Sequence, residues 1–192
     1  MKPAAEGRDR ENGTQKPEPQ SKMSVVRFLW ECGQATPSPA PAATVAIRRA
    51  DLDDGGDRAA IAALVRGARW PSAAPNADGF LGELAGRAGR EITVWLARGH
   101  RPDVAGDSGA ARTVGLVSLG RTRGGWSIPW LLVHPDARRH GVGRRLVAQA
   151  VEHARALGAG QVTAESLASW PEAVAFWQAV GFARRPAADD LL

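Results

Sequence analysis

The residues best suited to chemistry lie between Leu131 and Arg144. An apolar run of Leu131, Leu132 and Val133 leads through His134 and Pro135 to Arg138, Arg139, His140, Gly141, Val142, Gly143 and Arg144. A β-rich run that exits through proline and regains order at a glycine turn is a strand feeding a helix. The first turn of a helix has N–H groups without intrahelical partners and the positive end of the helix dipole, so such a junction binds anions. Glycines at 141 and 143 leave room for a diphosphate, and Arg138, Arg139, Arg144 and Arg145 add positive charge beside it. A P-loop needs a lysine after its second glycine, but all three lysines lie at or before residue 22. The dinucleotide fingerprint needs a third glycine where Leu146 stands.

The elements that must position this turn follow from periodicity. Residues 44–48 predict a strand and 57–69 an amphipathic helix with Ile61, Leu64 and Val65 on one face. A second helix is expected over 78–87. Residues 91–97, 113–119 and 126–133 predict three strands of an antiparallel meander, the last two joined by a hairpin turn at 122–125. Pro129 inside the third run predicts a β-bulge, because proline cannot donate to a ladder. Residues 138–157 predict a helix with Val142, Leu146, Val147, Ala150 and Val151 on its buried face, ended by Gly158. A short strand over 161–165 follows. The spacing of Ser169 and Glu172 suggests a capping box at the start of a last helix that ends at Gly181. The expected fold class is mixed α/β (α+β), a single mostly antiparallel sheet flanked by helices.

Arg138, Gly141 and Gly143 after a strand resemble the acyl-CoA signature of the GNAT N-acetyltransferase family: Gln or Arg, two residues, Gly, one residue, then Gly or Ala. Ala173, Phe176, Trp177, Gly181 and Phe182 resemble the family's last-helix segment. The resemblance covers the chain from about Thr44 onward and implies a GNAT-like acyl-CoA N-acyltransferase fold, with acetyl-CoA as co-substrate and an amine as acceptor. It implies that the pantetheine arm runs along the backbone of Leu131, Leu132 and Val133 in a gap opened by the bulge. The diphosphate would then meet Arg138 and the amides of Arg139, His140, Gly141, Val142, Gly143 and Arg144.

Transfer of an acetyl group from a thioester needs a neutral amine, a polarised carbonyl and a proton for the leaving thiolate. Direct attack in a ternary complex needs no nucleophilic side chain. Among relatives that acetylate protein N-termini a glutamate at the end of the fifth strand is the base, and the matching residue is Glu165. Two matches depart from the family: Trp177 stands where many members have a proton-donating tyrosine, and Trp170 where an asparagine often contacts the cofactor. The chain has seven Trp, four Phe and no Tyr, so no phenol takes part in any mechanism here. That departure keeps a second reading open, a non-catalytic acyl-CoA-binding regulatory module. Trp126, Trp130, Trp170 and Trp177 are expected either to converge on the acceptor side or to fill the core. His134 and His140 are expected in exposed or capping roles, and no spacing suggests a metal site.

The 192 residues suit one domain with a tail. Residues 1–41, rich in polar residues and proline and interrupted by an apolar segment at 25–30, are expected to be a disordered tail and linker, with the domain over 42–192. After Gly181-Phe182 little chain remains for a final strand, so an exposed sheet edge is expected to pair either with a partner subunit, giving a homodimer, or with the 25–30 segment. The net charge of +5 is spread among acids and no nucleic-acid motif occurs, so nucleic acid is not expected as a partner. No apolar run approaches the roughly 20 residues of a membrane span. A polar N-terminus and a single cysteine, Cys32, point to the cytoplasm. The acceptor, a protein amine or a small molecule, is not specified by these features.

Overall fold

The computed structural model describes residues 24–31, 33–35, 45–68, 70, 76–86, 92–99 and 111–185. Most of the expected tail and linker, residues 1–23, Cys32 and 36–41, lies outside them, as do 42–44 at the expected start of the domain. Seven strands, β1 (Val25–Glu31), β2 (Ala46–Arg49), β3 (Ile92–Gly99), β4 (Arg112–Thr122), β5 (Gly125–Val133), β6 (Gln161–Leu167) and β7 (Ala183–Arg185), form one sheet in the order β2-β3-β4-β5-β6-β1-β7. Every pairing is antiparallel except β5 with β6. Four helices accompany it: α1 (Gly55–Gly67), α2 (Ala77–Gly86), α3 (Val142–Ala156) and α4 (Pro171–Ala179). None is long and apolar enough to cross a membrane.

Strand alternation sorts the apolar residues into a core on each side of the sheet. On one side Phe28, Trp30, Trp95, Val117, Trp126, Ile128 and Val162 meet Leu146, Val147, Ala150 and Val151 of α3, and Trp177 of α4. On the other, Val94, Leu96, Leu116 and Leu132 meet Ile61, Leu64 and Val65 of α1 and Phe80, Leu81 and Leu84 of α2.

Three expectations are corrected. The 25–30 segment belongs to the sheet, not to a tail, because Val26, Phe28 and Trp30 alternate into the α3 core while β1 pairs with β6 and β7. This is the intrachain form of the edge pairing foreseen for the last strand. The helix expected from 138 starts at Val142, after a 3-10 turn over Pro135–Ala137 and left-handed backbone at Arg139 (φ 65°) and Gly141 (φ 78°). Ser169 does not cap α4: Trp170 holds the cap position without a side-chain hydrogen bond, and Pro171 supplies a first helical residue with no N–H to satisfy. Gly158 (φ 76°) and Gly181 (φ 94°) end their helices as expected.

Asp57 ties β2 to α1. Its carboxylate is 4% exposed and accepts two N–H groups from Arg48, one at 2.8 Å, and the Asp51 N–H at 2.9 Å. The Arg48 hydrogen bonds hold it below the usual carboxylate range. Its folded pKa therefore lies below the unfolded value of about 3.9, so its contribution is full above that pH and fades as the pH falls through the folded pKa. Asp57→Ala should cost about 2–3 kcal/mol. Urea unfolding at pH 7 and below about pH 4 checks this: the wild-type advantage shrinks in acid.

Candidate active site

β5 and β6 part along their length. They pair in parallel from Trp126 with Val162 to Ile128 with Ala164, yet β5 continues to Val133 and β6 to Leu167. The cause is a bulge at the expected proline. Between Ser118 and Gly120 of β4 the partners on β5 step from Trp130 to Ser127, one residue too many. Side-chain parity reverses across it: Trp126 and Ile128 point into the α3 core, then Leu131 and Val133 do, while Trp130 and Leu132 turn to the α1/α2 side. The buried Ser118 hydroxyl accepts the Trp130 N–H at 3.1 Å and holds the bulge in place.

Backbone direction follows from the same pairings. The Trp130 N–H is aimed at β4, and the His134 N–H donates to the Val114 carbonyl of β4 at 2.8 Å. By alternation Leu132 also addresses β4, whereas Leu131 and Val133 present their backbone groups to the opening beside β6. Of the three residues expected to meet a pantetheine arm, Leu131 and Val133 turn their backbone groups to the opening and Leu132 turns its own to β4. The Val133 carbonyl accepts from Arg138 Nε at 3.2 Å, so Arg138 folds back to brace the strand end.

The opening leads to the start of α3. His134 Nδ1 accepts the Asp136 N–H at 3.3 Å and begins the 3-10 turn, the capping role expected of it. Gly141 is the N-cap of α3 without a side-chain cap, and the first helical bond runs from Arg145 N–H to the Gly141 carbonyl at 3.1 Å. The N–H groups of Val142, Gly143 and Arg144 thus precede the helical ladder. Left-handed residues on either side of His140 curl the backbone, the kind of turn whose N–H groups can converge on an anion. The first turn has no acidic residue and carries Arg144 and Arg145, an arrangement unfavourable to the dipole unless an anion sits there.

The two glycines do different work. Gly141 has a φ that side chains resist. Gly143 has an ordinary φ and a crowded face: a Cβ there would lie 3.1 and 3.2 Å from ring carbons of Phe176 and 3.6 Å from Val133. Phe176 of α4 therefore covers the start of α3, a contact the sequence motif contains but does not announce.

Glu165 sits on β6 just past the point of divergence. Val162 and Ala164 face the α3 core, so Glu165 faces the other side, as Trp130 does across the opening. Its side chain is 59% exposed and accepts from Arg27 Nε of β1 at 2.9 Å. Arg27 is a neighbour that sequence reading missed. The four tryptophans do not converge. Trp126 and Trp177 are buried on the α3 side, Trp177 against Phe28, Phe176 and Phe182, and Trp170 caps α4. Trp130 alone stands at the opening, packed edge-on against Phe80 and Trp70 with centroids at 4.8 and 6.3 Å.

Comparisons with known proteins accord with this geometry. Residues 92–184 match the family model for the acetyltransferase (GNAT) domain. A GNAT-family structure from Desulfovibrio desulfuricans superposes with a TM-score of 0.57 at 21% identity, over 74% of this chain and 87% of that one. A GCN5-related N-acetyltransferase from Sphaerobacter thermophilus gives 0.63 at 19% identity over 84% of this chain, which spans only 48% of that longer protein. An aminoglycoside N-acetyltransferase in complex with CoA gives 0.57 at 16% identity, over 78% and 95%. At such identities the likeness is one of fold. No curated protein sequence matches the chain.

Proposed function

We propose that the chain is a GNAT-family acetyltransferase, from the match of residues 92–184 to that domain's family model, and that it moves an acetyl group from acetyl-CoA to a primary amine by direct attack in a ternary complex. The observation that carries this reading is the opening between β5 and β6, which ends at a helix N-terminus without a side-chain cap, with Arg139, Arg144 and Arg145 close by in sequence. A cradle built of backbone N–H groups fits a diphosphate. In this reading Arg139, His140, Gly141, Val142, Gly143 and Arg144 hold it, Arg138 braces the loop, and Leu131 and Val133 pair with the arm as an added strand would, while Leu132 supports them through β4. Bound acetyl-CoA would supply the thioester. Glu165, on the lip of the opening, takes the ammonium proton, directly or through water, so that the amine attacks neutral. Trp177 is buried, and an indole does not give up a proton at neutral pH, so the departing sulfur is left to solvent.

Isothermal titration with acetyl-CoA should show micromolar binding; folded protein that gives no heat at high micromolar ligand would end this reading. Glu165→Gln should lower kcat on the order of a hundredfold with acetyl-CoA affinity retained, read by product mass. The buried Trp177 in place of a tyrosine favours a second reading, a non-catalytic acyl-CoA-binding module. Acetyl-CoA binding with no acetylated product across an amine panel would establish that one instead.

A further inference from the structure

The sheet surface of β6, β1 and β7 turned away from α3 carries a row of charge, and we propose that it binds a carboxylate on the acceptor. The acceptor is then an amine with an acid group a short distance from its nitrogen. This rests on the reading of Glu165 as the residue beside the amine.

Register places the row. Glu165 of β6 pairs with Arg27 of β1, and Arg27 pairs with Arg185 of β7, so the three lie in line across adjoining strands and project to one side. Among the described residues none of β6, β1 or β7 belongs to the α1/α2 core, and although Leu29 on this surface is buried, Arg27, Glu165 and Arg185 are exposed. Like charges set directly opposite in a sheet repel, and one carboxylate serves two guanidinium groups here. Arg27 has it, at 2.9 Å; Arg185 makes no ion pair among the described residues.

A depression of about 300 Å³ opens at this place, lined by Arg27, Leu29, Gln161, Thr163, Glu165 and Arg185. Its order of charge, negative next to the opening and positive farther out, is the complement of a zwitterion entering amine first. Arg185 lies two strand spacings, roughly 10 Å, from Glu165, which sets the reach of the ligand. A guanidinium fork suits a carboxylate in both geometry and charge. Trp130 forms the opposite, apolar lip.

The probes are 6-aminohexanoate, 6-aminohexanamide and hexane-1,6-diamine, titrated into the full chain with CoA present. They share a length and differ in one end group. The carboxylate should bind about tenfold more tightly than the amide, with the diamine weakest, as expected for one charge-assisted hydrogen-bond pair. In Arg185→Gln the ratio of carboxylate to amide affinity should fall to near one, and Arg185→Lys should recover part of it. The exposed Arg185 makes both variants foldable, which circular dichroism verifies. Equal affinities, a preference for the diamine, no binding of the carboxylate at millimolar concentration, or an unchanged ratio in Arg185→Gln overturns the proposal. Product mass with acetyl-CoA is read separately. A preserved carboxylate preference without acetylated product overturns the transfer reading and leaves the carboxylate site standing.

Discussion

Gly143→Val should lower acetyl-CoA affinity by at least about a hundredfold, near 3 kcal/mol, while the protein still unfolds cooperatively. The first side-chain carbon would already lie 3.1 Å from the Phe176 ring, and the γ-carbons of valine reach farther into it. On one side the ring is backed by a fixed neighbour. Trp177 packs against it with centroids 5.6 Å apart and is itself fixed by Phe182 at 5.0 Å. Overpacking of this kind costs about 1–3 kcal/mol in stability, and the first turn of α3 must yield. That turn carries the N–H groups of the proposed anion cradle, so a small displacement there is spent on ligand geometry. Gly141→Ala should weaken binding for another reason, the strain of φ 78° on a residue with a side chain. A second substitution separates the two causes: Phe176→Leu should restore binding to Gly143→Ala and do nothing for Gly141→Ala. Titration of these five variants, with melting temperatures to monitor folding, measures this. Wild-type affinity in Gly143→Val would mean that α3 does not hold the ligand.

The backbone geometry of this turn was legible because it is local. A strand end, a proline, spaced glycines and basic residues act on one another within a dozen positions, and each has its own backbone consequence. Pro129 announced its bulge for the same reason: a missing N–H is a property of one residue. What the bulge does to its neighbours was not legible. One extra residue reverses side-chain parity, and so Trp126 and Trp130 ended on opposite sides of the sheet although their even spacing in sequence suggested one side. Equal-looking glycines hid unequal roles, since the crowding at Gly143 comes from Phe176, more than thirty positions away.

The N-terminal strand departs furthest from its local composition, and the same physics explains it. Val26, Phe28 and Trp30 alternate as a half-buried strand should, but a proline-rich stretch follows them, and local composition argued for a tail. Pairing with β6 joins residues about 140 positions apart, as in Arg27 with Glu165. Only the assembled sheet reveals that a slot between β6 and β7 needs filling.

Removal of residues 1–31 should therefore abolish the folded state and, with it, all acetyl-CoA binding. Phe28 and Trp30 have no exposed surface, and truncation of one such aromatic costs about 3–5 kcal/mol. Two of them, with Val26 and the backbone pairing of seven residues, match or exceed the about 5–15 kcal/mol that holds a domain together. The damage spreads along the sheet. Among the described residues β7 pairs only with β1, and Phe28 stacks against Trp177, whose neighbours Phe176 and Phe182 frame the covered start of α3. The shortened chain should show no near-ultraviolet circular dichroism and no cooperative melt. A synthetic peptide of residues 24–35 added in excess should restore both, because the slot recognises a strand by its edge hydrogen bonds and three apolar side chains and does not need a covalent link. Peptide with Phe28→Asp should fail. A shortened chain that melts cooperatively and binds acetyl-CoA without peptide would show that β1 only lies against a domain already complete.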